Sequence, residues 1–371
     1  QFCREEAGWL EPYCRFRWLM ELEGDCEEWT LWSMNYNTPE RALSWIEKRR
    51  TAREDEVRRE LGFFAWVQWM AFSQWRELRR HAEECDVKLM GDVPIGVSFN
   101  SADVFFEPQW FDLEWSGGAP PETVFKDDAF AVRWGQNWGI PLYRWEVQEK
   151  DGYSWWRRRI RKLTAIFHIF RIDHILGFYR LYSFPWRPMR NAEFLTLSPE
   201  EAMTRTKGRL PGFKPRPDDT KEHREANLKS GDSYLEMILD AAGDSEVTGE
   251  DLGAVPDYVR PHLLKLGIAG FKICHWEVRA DKRGVEHPVA GKDYEECSFA
   301  TYATHDHPAI AAMWEDFREG TQSIDSDIRA GAQWNLRILS EFAGIPVAKD
   351  LASFPAFDEE LRWKLLGALL A

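Results

Sequence analysis

No two cysteines in this chain are spaced CxxC. The six, Cys3, Cys14, Cys26, Cys85, Cys274 and Cys297, are scattered, which indicates neither a zinc knuckle nor a disulfide framework and fits a reducing, cytoplasmic setting. No apolar run approaches the roughly 20 residues of a membrane-crossing helix. The opening QFCREEAGWL carries no apolar signal-peptide core. Glycine-rich phosphate loops and internal repeats are missing too. Basic residues are in deficit: 48 Lys plus Arg against 62 Asp plus Glu leave a formal net charge of −14. That charge repels phosphate backbones and anionic lipid, so neither nucleic acid nor a membrane is expected as a partner. A neutral ligand is indifferent to it.

What is present is apolar and aromatic. The 371 residues are 44% hydrophobic, enough to bury the core of one large domain, and include 20 tryptophans. Most of those rings are expected in the core, while a few in loops suit the apolar faces of sugar rings.

Residues 1–86 read as helical, with Thr51 to Glu84 forming one long or broken amphipathic helix. The charge run EKRRTAREDEVRRE, Glu47 to Glu60, reads as a solvated helix face. Residues 87–371 alternate strand and helix patterns, which argues for a parallel sheet. Five strand candidates stand out: KLMGDVPIGV, HIFRID, EVTGED, AGFKICHW and FATYATHD. Two insertions interrupt them. Residues 106–143 form a long Gly/Pro/Trp-rich connection, and 203–232 a polar, basic excursion of the length seen in lids or disordered segments.

Acids end four of these strand-like runs: Asp92, Asp173, Glu250 and Asp306. Parallel barrels carry their chemistry on the C-terminal face, where strand ends meet, so a (β/α)8 barrel would present these acids together. Retaining cleavage of a glycosidic bond needs one carboxylate to attack the anomeric carbon and a second, protonated one to release the leaving oxygen. Arg171 and Asp173 lie two apart on one strand, so their side chains share a face, and the guanidinium keeps the carboxylate ionised as a nucleophile requires. Glu250 is adjacent to Asp251, and alternation sends the two to opposite sides, so one of them faces a substrate. Each pair taken alone also fits a structural ion pair.

With these residues the chain resembles the 4-α-glucanotransferases, or amylomaltases, of the α-amylase clan. The segments GDVPIGVSFNSADVF, GQNWGIPLYRW, RIDHILGF, GEDLG and ATHD carry the resemblance, which spans roughly Phe2 to the C-terminus. It implies Asp173 as nucleophile, Glu250 as general acid/base and Asp306 as the acid that grips the distorted sugar. Arg171 and His305 are their implied partners, Asp92 braces Arg171, and Trp138, Gly139, Pro141 and Ser101 belong to the glucan-binding surface. The implied partners are maltodextrins and other α-1,4-glucans, with no cofactor and no metal. The family's first barrel strands and its last one have no counterpart here, so the expected barrel is incomplete, with strands 3 to 7 recognisable. Asn100 stands where many members carry Asp, and Cys274-His275 interrupts a stretch often read as Pro-Gln. The alternatives are an α-glucan hydrolase with the same acids and a glucan-binding fragment without turnover.

Overall fold

The computed structural model describes residues 1–122, 128–347 and 353–370. These form two compact units, Gln1–Val247 and Thr248–Ala371.

The first unit begins with helices Phe2–Glu5, Ala7–Leu22, Pro39–Ala52 and Glu54–Glu84. Helix Pro39–Ala52 starts where the Thr38 side chain accepts the Arg41 amide and Pro39 fills a position that needs no N–H. Helix Glu54–Glu84 opens with Glu54, Asp55 and Glu56, which suit the positive end of its dipole. The helix expected from Thr51 therefore breaks at Arg53. The charged stretch is a solvated face, carrying exposed ion pairs such as Arg58–Asp55 and Arg59–Glu60. Leu10, Phe16, Trp18, Trp32, Ile46 and Phe64 join these helices into one core with Phe105.

Six strands follow: β1 (Met90–Pro94), β2 (Phe111–Ala119), β3 (Gln136–Tyr143), β4 (Ile169–Asp173), β5 (Leu181–Phe184) and β6 (Gly212–Lys214). β1 and β4 are parallel, with Asp92 beside Arg171 and Pro94 beside Asp173. The others form an antiparallel sheet in the order β3-β2-β5-β6.

Both insertions contain more regular structure than their composition suggests. The segment 106–143, read as a loop, supplies β2, β3 and the helix Ala129–Trp134; its residues 123–127 lie outside the described ones. Its strands escape a period-two reading because the β2–β3 ladder shifts register between Asp112 and Ser116 and again between Gly117 and Gly118. Segment 203–232, read as a lid or disordered stretch, is likewise built in. β6 pairs with β5 through Phe213 and Tyr182, and the next helix starts at Lys221 under a Thr220 cap and runs to Ala242. Asp218 ties the connection down by pairing with Arg180 and accepting the Asn227 amide at 2.9 Å.

In the second unit β7 (Glu246–Gly249), which straddles the boundary, and β11 (Ser298–Thr301) both lie parallel to β8 (Ala269–Ile273). A short hairpin of β9 (Val278–Ala280) and β10 (Glu286–Pro288) follows β8 in the chain. Helices Ile310–Gly320, Ser326–Phe342 and Glu359–Leu370 bury Trp314, Leu336, Leu339, Leu361 and Leu365 around Cys274 and Tyr302. All five runs read as parallel strands are strands, each starting within two residues of the expected position. No helix among the described residues is long and apolar enough to cross a membrane.

Gly118 is where the antiparallel sheet is tightest. A Cβ there would sit 1.8 Å from the Gln136 carbonyl oxygen, a backbone atom that cannot swing away. Gly118→Ala is therefore expected to lower unfolding stability by about 1–3 kcal/mol through overpacking. Urea titration followed by circular dichroism checks this; an unchanged midpoint would contradict the packing described.

Candidate functional site

In the first unit the site is organised by Arg171. Its side chain is only 6% exposed, and it reaches two carboxylates from the centre of the parallel pair. Nη1 donates to Asp92 Oδ1 and Oδ2 at 3.1 and 3.2 Å, and Nη2 donates to Asp173 Oδ1 at 2.7 Å. The parallel register places Asp92 beside Arg171, and the two-residue period returns Asp173 to the same face. Both carboxylates keep about a third of their side-chain surface open, and the guanidinium fixes their orientation.

The chain then turns sharply. His174, directly after Asp173, adopts a left-handed conformation with φ of 48°. Its ring meets Trp138 edge to face at 4.9 Å and 84°, which brings the GQNWG segment of β3 against the end of β4. Trp138 is half exposed and donates to Gln136 Oε1 at 3.1 Å. Gly139, at φ of 81°, lies against Pro188. Asn137 clamps this segment by donating to the Trp186 carbonyl and to Asn191 Oδ1 while accepting from Ser116. Pro141 is buried in β3 opposite Ser116. Ser101 caps the helix Ala102–Phe106 by accepting the Val104 amide at 3.3 Å. Sequence reasoning missed His174 and Asn137. A Trp-Gly pair preceded by Asn, and a His at a strand's end, were the available signals.

In the second unit Glu250 follows β7 half-buried, and its Oε1 accepts the Leu252 amide at 3.1 Å. Asp251 points the other way. Its carboxylate is buried, accepts the Phe271 amide of β8 at 2.6 Å, and pairs with Arg260 at 2.9 Å. Gly270 is needed beside it, because a Cβ there would stand 2.8 Å from Asp251 Oδ2. Burial raises the Asp251 carboxyl pKa, and the Phe271 amide and Arg260 partly offset this. The adjacent acids thus divide the work: Asp251 staples β7 to β8, and Glu250 stays accessible. After β11, His305 and Asp306 are both exposed, with His305 Nε2 3.4 Å from Asp306 Oδ1.

Two histidines, one directly after Asp173 and one two residues past β8, are uncharged at neutral pH. Burial pushes the His174 imidazole down to about 4, with Arg180 adding to it. Burial does the same to His275, two residues past β8, with His307 adding to it. Their folded pKa values lie below the ordinary 6.5, so between about 4 and 6.5 the unfolded chain binds more protons. Their share of stability is full above pH 6.5 and is lost as the pH falls toward 4. Denaturation series at pH 7, 6, 5 and 4.5 should show this fall, and His174→Gln should flatten part of it. An unaltered slope in that variant would contradict the burial assigned to His174.

A sequence profile of the 4-alpha-glucanotransferase family matches residues 1–361. The 4-alpha-glucanotransferase of Chlamydia caviae is 32% identical over 313 residues, covering 84% of this chain and 50% of that protein. That of Thermus thermophilus is 30% identical over 294 residues, covering 79% of this chain and 50% of that protein. The chain thus spans about half the length of the curated relatives it matches. Among solved structures, the amylomaltase of Streptococcus agalactiae in complex with acarbose superimposes with a TM-score of 0.66 at 19% identity, covering 99% of this chain and 72% of that one. The Corynebacterium glutamicum amylomaltase gives 0.65 at 21%, covering 99% and 45%. The fold is therefore that of the amylomaltases, and the (β/α) barrel class expected from the strand pattern is the observed one.

Proposed function

Because this chain belongs to the 4-alpha-glucanotransferase family, we propose that it transfers α-1,4-glucan segments between maltodextrins by retaining double displacement. The observation that carries this reading is the Arg171 anchor on Asp173 at the end of β4. In the proposed reaction, Asp173 attacks the anomeric carbon and breaks the bond to the glycosidic oxygen, while Glu250 gives that oxygen a proton. The products of this half are a covalent glycosyl-enzyme and a shortened glucan. In the second half the 4-hydroxyl of an acceptor glucan attacks the same carbon, Glu250 takes its proton, and Asp173 leaves as a free carboxylate. Asp306 grips the ring in its distorted, cationic form. Bonds and protons balance, and no group outside the chain is consumed.

The chemistry of each acid matches its surroundings. Asp173 must stay anionic and aimed; Arg171 supports both. Glu250 must trade a proton twice, and its half-buried, amide-anchored place suits that better than the fully buried, ion-paired Asp251 would. Trp138 offers a flat, half-exposed face of the kind on which a glucose ring stacks. Gly139 and Pro141 shape that strand, and Ser101 and His305 complete the proposed binding surface. Water competes with the acceptor for the glycosyl-enzyme.

Product analysis tests this. Maltotriose incubated with the chain should give glucose together with maltopentaose and longer chains, and Asp173→Asn should reduce turnover by about 10⁴-fold or more, as for loss of a covalent nucleophile. Production of shorter sugars alone would establish a hydrolase instead. Binding without turnover in both proteins would leave only a glucan-binding fragment.

A further inference from the structure

We propose that His307 is a positioning residue that orients the Asp306 carboxylate through the hydroxyl of Thr304, an inference that rests on Asp306 acting on the sugar as described above. Residues 304–307 form a tight turn after β11, closed by the His307 amide donating to the Thr304 carbonyl at 3.1 Å. Thr304 Oγ1 stands at its centre. It accepts the Asp306 amide at 3.3 Å, lies 3.4 Å from Asp306 Oδ2, and lies 3.0 Å from His307 Nδ1.

Proton accounting sets the direction of this chain of contacts. A threonine hydroxyl has one proton to give, and a carboxylate can only accept. If His307 Nδ1 were an acceptor, it would draw that proton and leave Oγ1 and Oδ2 facing each other as two acceptors. All the contacts are satisfied together only when Nδ1–H donates to Oγ1 and Oγ1–H donates to Oδ2. The His307 tautomer therefore decides whether the Thr304 hydroxyl can donate to Oδ2. The other oxygen, Oδ1, has its own tether in His305 at 3.4 Å. Two tethers on the two oxygens fix the plane of a carboxylate that is otherwise 60% exposed, and free rotation of such a group would blur its grip on a sugar. Trp276 holds the far side of the relay: its ring meets His307 at 5.3 Å and 72°, limiting the imidazole to few orientations.

The test uses the full chain. Transfer from maltotriose is measured for His307→Ala, His307→Asn, Thr304→Val and the double variant, with thermal unfolding as a control for folding. An asparagine amide presents an N–H close to where Nδ1–H stands, so it should rescue. We expect kcat to fall about 10-fold or more in His307→Ala with KM within about twofold, since Asp306 acts on the distorted sugar, and to return to within about threefold in His307→Asn. The double variant should lose no more than Thr304→Val alone, because both residues act on one oxygen. Nitrogen chemical shifts of His307 should report the Nδ1–H tautomer in the unaltered protein. Undiminished kcat in His307→Ala, failure of asparagine to rescue in a folded protein, or an Nε2–H tautomer would each overturn the relay. Absence of turnover in the unaltered chain would instead overturn the function proposed above, and the tautomer alone would then decide whether the relay exists.

Discussion

One buried guanidinium holds the first unit's site together. Arg171 sits on β4, is almost fully enclosed, and spends both terminal nitrogens on carboxylates, Asp92 from the neighbouring strand and Asp173 from its own. The arrangement follows from two periodicities: parallel register places Asp92 and Arg171 side by side, and the pleat returns Asp173 to their face. Burying an arginine without partners is prohibitive, so the two acids are what allow it to lie there. In return it sets their direction. Planarity and fixed N–H vectors make arginine suited to this where lysine would act only as a point charge.

The surrounding structure serves to aim flexible parts at rigid ones. The tryptophan-bearing segment of β3 reaches the end of β4 because Asn137 ties it to residues 186 and 191 and because Gly118 lets the backbones of β2 and β3 approach closely. His174 meets its tryptophan edge to face from a left-handed turn, uncharged at neutral pH. In the second unit the same division recurs between adjacent acids: Asp251 secures two strands, and Glu250 stays half-buried beside it. A three-residue step later in the chain, Thr304 to His307, packs a hydroxyl, a carboxylate and an imidazole into one turn. In each case side-chain hydrogen bonds to backbone amides or to a neighbouring side chain restrain the direction of an adjacent polar group.

How much of this could be read from the chain differs by element. Strands β1, β4, β7, β8 and β11 were legible because buried parallel strands are short apolar runs ended by loop residues. The pairing of Arg171 with Asp173 was legible from a spacing of two, and Asp92 followed from the resemblance. The antiparallel sheet was not legible. FDLEWSGGA and QNWGIPLY lack alternation because bulges shift the ladder, and tryptophan, glycine and proline there read as loop. The helix Lys221–Ala242 was legible only in its apolar second half; its polar first half is held by a Thr220 cap and by Asp218 and Asn227, contacts that no periodicity encodes. Thr304 and Asn137 escaped notice for a related reason. Their value lies in side-chain hydrogen bonds set by a turn, which depend on backbone direction rather than on residue order.

In the proposed reaction everything turns on Asp173, held by Arg171, forming a covalent bond to sugar. The most direct measurement uses a maltosyl fluoride blocked at its terminal 4-hydroxyl, which can donate but cannot accept, followed by proteolysis and mass mapping of the labelled peptide. A glycosyl mass is expected on the peptide containing Asp173, formed much more slowly when Arg171 is replaced by Met. Fluoride release with the label on another carboxylate, or rapid labelling of Asp173 without Arg171, would contradict it.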